Sequence, residues 1–148
     1  MNNISCTPMS EIHIAAVHEI DILSFHTPWS EESMKNELSN SSARYFVALK
    51  EDEVVGFGGM WLVLDEAQIT NIAIHPDYRN LGIGSILLEN LIKLSLEENI
   101  NSITLEVRKS NINAQKLYTK FNFAVEGERK GFYLDNKEDC LIMWKHLR

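Results

Sequence analysis

The spacing of apolar residues along the chain switches between a helical period and a strand period, and the switches mark out its elements. Over 8–25, Ile12, Ala16, Ile20 and Leu23 recur at helical spacing, which predicts a helix that starts at Thr7-Pro8. The stretch from His26 through Thr27, Pro28 and Trp29 to Ser30 interrupts it. Ser30 is placed to cap a second short helix, with Glu31 and Glu32 in the first turn to complement the helix dipole. Residues 44–50, 54–64 and 67–74 read as strands, rich in β-branched and aromatic positions, with Glu51-Asp52-Glu53 as the first turn. His75-Pro76-Asp77 ends the third. From Gly84 to about Glu98, Ile86, Leu87, Leu91 and Leu94 trace an amphipathic helix. Residues 102–108 alternate as a strand, and 110–121 form a helix that begins at Ser110 or Asn111. Two further strand-like segments, 123–132 and 140–144, are joined by a turn at Asp135-Asn136-Lys137.

This order is helix, helix, strands, helix, strand, helix, two strands. A strand–helix–strand unit requires parallel neighbours with a right-handed crossover, while consecutive strands on either side imply antiparallel pairs. The expected fold is α/β: a single mixed, twisted sheet with helices on both faces. No internal repeat or Pro/Gly linker divides the 148 residues, so one domain over 1–148 is expected.

Composition narrows the function classes. Hydrophobic and charged shares of 45% and 24% are those of an ordinary globular protein. No apolar run approaches the ~20 residues of a membrane span, and the first residues lack the basic and apolar regions of a secretory signal. A cytoplasmic protein with no membrane partner is therefore expected. Cys6 and Cys140 lie far apart in sequence, and no Cys-x-x-Cys or His-Glu-x-x-His occurs, so reduced thiols and no metal are expected. A net charge of -7 argues against nucleic acid as a partner and suits a basic peptide or an amine.

Candidate chemistry concentrates at 79–85, Arg-Asn-Leu-Gly-Ile-Gly-Ser, just before the amphipathic helix. A helix N-terminus offers unpaired N–H donors and a partial positive charge. Gly82 and Gly84 lack a Cβ, which permits unusual φ values and close approach of a phosphate. Arg79 adds a fixed cation. Arg-x-x-Gly-x-Gly is nonetheless a short pattern that also fits a plain helix start. No lysine follows Gly84, which excludes a P-loop, and the third glycine of a dinucleotide fingerprint is missing.

The wider context makes the loop specific. Residues 69–92, Ile-Thr-Asn-Ile-Ala-Ile-His-Pro-Asp-Tyr-Arg-Asn-Leu-Gly-Ile-Gly onward, followed by Leu-Glu-Val-Arg-Lys-Ser-Asn at 105–111 and the helix with Tyr118, resemble the GNAT superfamily of N-acetyltransferases. Pro28-Trp29-Ser30, the stretch at 63–74 and Glu138 to Trp144 are most similar to its RimI-like branch, which acetylates the N-terminal alanine of a small-subunit ribosomal protein. The resemblance runs over nearly the whole chain. It implies acetyl-CoA as co-substrate, with direct attack by the amine in a ternary complex. It further implies that the backbone of Ile72, Ala73 and Ile74 pairs with the pantetheine arm. Arg79, Asn80, Leu81, Gly82, Ile83, Gly84 and Ser85 would surround the pyrophosphate, and Asn111 would contact the cofactor near its reactive end.

The same resemblance assigns two catalytic roles. Glu106, flanked by Leu105 and Val107 and so on the opposite sheet face from them, would be the general base, directly or through water. Tyr118, one turn after Ala114, would protonate the departing thiolate. An α-amine, with a pKa of about 7.7–8.0 against about 10.4 for lysine, asks little of its base. Trp29, Glu31 and Tyr133 are weaker candidates for the acceptor side. Three departures from the RimI-like pattern stand out. Asn80 and Ser85 replace arginines, Asn122 replaces the glycine after the tyrosine helix, and Phe132 replaces one of a tyrosine pair. Acetylation of a small amine, a lysine or an antibiotic on the same scaffold is the alternative enzymatic reading. A non-catalytic CoA-binding module is the alternative of another class.

Overall fold

The computed structural model describes residues 3–25 and 27–148; His26 lies outside the described residues. Among the described residues, seven strands and four α-helices follow in the order β1 (Ile4–Pro8), α1 (Ile14–Ser24), α2 (Glu31–Leu38), β2 (Ala43–Lys50), β3 (Glu53–Val63), β4 (Glu66–Ile74), α3 (Ile83–Glu97), β5 (Ser102–Arg108), α4 (Ile112–Lys120), β6 (Ala124–Arg129) and β7 (Cys140–His146). Short 3-10 turns occupy Glu11–His13 and Pro76–Tyr78. The strands form one sheet in the order β1-β2-β3-β4-β5-β7-β6. Among the described residues only β4 and β5 pair in parallel, bridged by α3 as the strand–helix–strand pattern requires.

The beginning of the chain departs from its sequence pattern. Thr7 and Pro8 end a strand along the outer edge of β2, Pro8 opposite Phe46, and do not open a helix. An edge strand tolerates a proline at its end because the missing N–H faces no partner. The helix starts six residues later and in a different phase. Its buried face is Ile14, Val17, Ile20 and Asp21, whereas Ile12 sits in the 3-10 turn and is 87% exposed. The predicted strand over 123–132 is also shortened. Gly131 takes φ +59° and donates its N–H to Asp139 Oδ1 at 2.9 Å, which turns the chain into the loop before β7.

Elsewhere the local signals act as expected. Ser30 Oγ accepts the Ser33 N–H at 3.1 Å and caps α2. Asn122 ends α4 with φ +69°, a left-handed position that asparagine adopts more readily than most residues.

Alternation along β2 and β3 divides the core between the two sheet faces. Val47 and Phe57 pack with Val17, Ile20 and Met34 of α1 and α2, while Ala48 and Val55 meet Ile83 and Leu87 of α3 on the other side. The larger part of the second face joins Met60, Ile103, Leu105 and Met143 to Leu88, Leu91 and Tyr118. Each fully buried Leu or Ile there contributes about 1.5–3 kcal/mol relative to exposure.

An ion pair ties β2 to the end of α3. Arg44 Nε donates to Glu98 Oε2 at 2.8 Å and its Nη2 donates to Oε1 at 2.9 Å. These hydrogen bonds hold the Glu98 carboxyl below its ordinary pKa. The pair therefore stabilises the fold above the unfolded-state pKa of about 4.3 and is lost as pH falls through the lowered folded-state value. Glu98→Gln is expected to cost no more than about 1 kcal/mol at pH 7. Urea unfolding at pH 7 and in acid should show that difference closing as the wild-type carboxylate is protonated.

What positions the site is the divergence of β4 from β5. They pair only from Glu66–Ser102 to Gln68–Thr104, and both strands continue beyond. The closed end is locked where Asn101 donates its N–H to the Asp65 carbonyl and its side-chain amide to Asp65 Oδ2, both at 2.7 Å. On the open side, β4 from Ile69 to Ile74 has no strand among the described residues along the edge that faces β5.

Candidate active site

The opening between β4 and β5 leads into two adjoining grooves of about 660 and 630 Å³. Ser24, Phe25, Ile72, Asn111, Ala114 and Tyr118 line both, so the grooves meet around Tyr118.

The first groove gathers the residues of the glycine loop. Ile72, Ala73 and Ile74 line it with Arg79, Asn80, Gly82, Ile83, Gly84 and Ser85, and Asn111 lines it too. Leu81 does not line it and is 42% exposed. Gly82 is the N-cap of α3 at φ +79° and no side chain caps the helix, so the first-turn N–H groups lack intrahelical partners. The two glycines serve different ends. A Cβ on Gly82 would meet nothing within 4 Å but would be strained at that φ, whereas one on Gly84 would lie 3.2 Å from Leu117 Cδ2 of α4. Gly84 thus lets α3 and α4 approach while leaving its backbone open to the groove.

Charge in this groove runs against the rest of the chain. Among the described residues Arg79, Lys116 and Lys120 line it and no carboxylate does, although the chain carries a net charge of -7. Lys120 Nζ lies 3.3 Å from Ser85 Oγ and links α4 to the loop. Sequence reasoning singled out Arg79 and missed both lysines. They stand four apart on α4, so one helix face carries both, but only the packing of α4 beside α3 aims that face at the loop. Backbone donors, a helix N-terminus and three cations without a carboxylate suit a phosphate-bearing ligand.

Asn111 caps α4, its Oδ1 accepting the Ala114 N–H at 3.2 Å. Tyr118 is 8% exposed, with its ring 5.8 Å from that of Phe123. Burial pushes its hydroxyl up to about 12, which keeps it protonated, and it forms no hydrogen bond with the described residues. It is a phenol with a proton to give and an open groove beside it.

The second groove holds Glu106, on β5 between buried Leu105 and Val107, with Trp29, Trp61 and Tyr133 around it. The Glu106 carboxylate makes no ion pair or hydrogen bond with the described residues and is exposed. Arg108, the other charged residue of this lining, is held by Asp135 at 3.0 Å and Glu138 at 3.4 Å, and its guanidinium sits 4.0 Å from the Tyr133 ring centre. Burial, the neighbouring Cys140 thiol and the Glu106 charge together raise the Tyr133 phenol above its ordinary range. Glu31, in the first turn of α2, does not line the groove. Among the described residues no group of three His, Cys, Asp or Glu is placed to hold a metal, and no helix is long and apolar enough to cross a membrane.

Comparison with known proteins agrees with this geometry. The family model described as the acetyltransferase (GNAT) family matches residues 14–123, a span that holds the glycine loop, Glu106 and Tyr118. The chain is 46% identical over 129 residues to a provisionally named ribosomal protein bS18-alanine N-acetyltransferase of Bacillus subtilis, covering 86% of this chain and 85% of that one. It is 35% identical over 147 residues to the ribosomal protein bS18-alanine N-acetyltransferase of Escherichia coli, covering 97% and 96% of the two chains. The crystal structure of the Escherichia coli ribosomal-protein alanine N-acetyltransferase superimposes with a TM-score of 0.88 at 29% identity, over 97% of this chain and 94% of that one. A diverging β4–β5 pair, an uncapped helix behind a glycine loop and a match over most of the sequence place the chain in the acetyltransferase (GNAT) family.

Proposed function

We propose that this chain acetylates the N-terminal α-amine of a ribosomal protein, one that begins with alanine, using acetyl-CoA, and that it does so in the cytoplasm. The observation that carries the reading is the meeting of two grooves of different chemistry at Tyr118: one lined by cations without a carboxylate, the other by the unpaired Glu106. The names of the similar proteins supply the acceptor, and the first groove fits the donor.

Acetyl-CoA supplies a thioester whose carbonyl carbon takes the amine and whose sulfur leaves as a thiolate. The chain's own groups do the rest. The first-turn N–H groups of α3, with Arg79, Lys116 and Lys120, bind phosphate oxygens. The free edge of β4 at Ile72, Ala73 and Ile74 pairs with amide groups of an extended arm, as a sheet edge takes up a peptide. Glu106 Oε accepts the proton that the α-amine gives up, directly or through a water. Tyr118 Oη holds a proton at the groove junction and donates it to the leaving sulfur.

The test is a mass-spectrometric acetylation assay with acetyl-CoA and peptides that begin with Ala, Ser, Met or a blocked residue, beside free lysine and spermidine. Modification at the α-amine of the alanine-led peptide is expected. Because that amine is already partly neutral near its pKa of about 7.7–8.0, Glu106→Gln should lower kcat/KM by about 10–100-fold at pH 7, with the deficit narrowing as pH rises past the amine pKa. Turnover of small amines alone would move the assignment to the alternative acceptor class. Binding of acetyl-CoA with no turnover of any amine would leave a CoA-binding module.

A further inference from the structure

We propose that Asp21 is a positioning residue for the acceptor groove: its buried carboxylate, by accepting the Trp29 N–H, fixes the wall that Thr27 and Trp29 contribute beside Glu106. The inference rests on the proposed function for the identity of that groove, and on geometry for the rest.

Asp21 lies in the last turn of α1, is 3% exposed, and is one of the few polar residues in the buried set. Its Oδ2 accepts the Trp29 N–H at 2.7 Å across a separation of eight residues. A buried charged acceptor at this distance is a strong bond, about twice a neutral one. Burial raises the Asp21 pKa, while the Trp29 N–H and nearby His18 oppose that rise, so the bond stabilises the ionised form against its surroundings. The Trp29 side chain packs with the cluster of Val17, Ile20, Met34 and Phe57, so its backbone and its ring are held from two sides.

The position of this bond separates the two grooves. Ser24 and Phe25 line both grooves, but Phe25 is held by its own N–H to the Asp21 carbonyl at 3.0 Å, a bond that any side chain at 21 leaves intact. Thr27 and Trp29 line the second groove only. Loss of the carboxylate should therefore loosen the acceptor wall and spare the donor groove. A purely structural carboxylate would have no such preference.

Two variants grade the bond: Asp21→Asn keeps a neutral oxygen, and Asp21→Ala keeps none. Steady-state kinetics with an alanine-led peptide should show the acceptor KM rising by about 3-fold for Asp21→Asn and about 10-fold for Asp21→Ala, with the acetyl-CoA KM within about 2-fold. Hydrogen–deuterium exchange should quicken over 27–29 and stay at the wild-type level over 72–85. Equal changes in both KM values, an unchanged acceptor KM in Asp21→Asn, or unchanged exchange over 27–29 would each overturn the proposal. If Asp21→Ala does not fold, the Asp21→Asn values decide alone. A wild-type protein that acetylates no amine would defeat the proposed function, whereas the exchange over 27–29 would still decide whether Asp21 holds the wall.

Discussion

Tyr118→Phe is expected to lower kcat by about 10²–10³-fold and to leave both the melting temperature and the affinity for acetyl-CoA close to wild type. The separation follows from where the hydroxyl sits. The ring is buried against Phe123 and joins the main core cluster, and phenylalanine preserves that packing. The hydroxyl makes no hydrogen bond with the described residues, so its removal leaves no orphaned partner. What is lost is the phenolic proton at the junction of the grooves, which burial keeps in place up to about pH 12. With so high a pKa, Tyr118 should add no limb to the pH–rate profile between pH 6 and about 9, a range in which the α-amine titrates, near 8. Single-turnover kinetics with acetyl-CoA and an alanine-led peptide, beside a thermal melt, test this directly. A variant with unchanged kcat would remove Tyr118 from the proton path.

The second large effect concerns stability. Gly59 lies directly across from Tyr45 in the β2–β3 pair, and a Cβ there would fall 2.1 Å from Tyr45 Cε1 and 2.2 Å from Cδ1. The tyrosine ring rests on the bare backbone, a cross-strand arrangement in which an aromatic covers a glycine. The ring cannot simply step aside, because its hydroxyl donates to Glu37 Oε1 at 3.4 Å and the same oxygen accepts the Trp61 indole N–H. Gly59→Ala is therefore expected to cost about 2–4 kcal/mol, at or above the usual range for overpacking. Gly127 is the internal control. Its added Cβ would lie 3.5 Å from the nearest atom of Ile142, an ordinary contact, so Gly127→Ala should stay within about 1 kcal/mol of wild type. Urea unfolding of the three proteins checks both. A Gly59→Ala protein as stable as the control would mean that the β2–β3 pair yields more easily than its packing suggests. Because Trp61 also lines the second groove, the displaced ring should raise the acceptor KM as well.

The central half of the fold was legible because its signals are local. Strands β2 to β5 and helices α3 and α4 carry periodicity, caps and turn residues within their own segments, and the structure places them within a residue or two of expectation. The first strand was not legible. Ile4–Pro8 is five residues long with weak alternation, and what makes it a strand is the free edge of β2, whose Phe46 to Lys50 pair with it from far along the chain. The phase of α1 failed for a related reason: Ile12 mimics a helical position from inside a 3-10 turn.

The site shows the same division. The glycine loop, Glu106 and Tyr118 stand in recognisable stretches, and their assembly about one opening could be anticipated from their order. Lys116, Lys120 and Asp21 could not be found in that way. Each carries a charge common on helix surfaces, and only the packing of α4 beside α3, or of α1 beneath the Pro28-Trp29 segment, gives it a direction. Asp21 in particular reads as a solvent-facing residue until the burial of α1 is known.

The gap between β4 and β5 has a consequence for the protein when nothing is bound. Unpaired N–H and C=O groups along Ile69 to Ile74 lie in the middle of a seven-stranded sheet and are not confined to its outer strands. Open sheet edges invite pairing with other extended chains. An occupant that pairs with this edge therefore acts as a removable strand, and by mass action it raises stability by about 2.7 kcal/mol at one hundred times its dissociation constant. If acetyl-CoA is that occupant, its presence during purification and storage is expected to limit self-association as well as unfolding. Depletion of the donor in a cell would then expose a sticky seam in addition to halting the reaction.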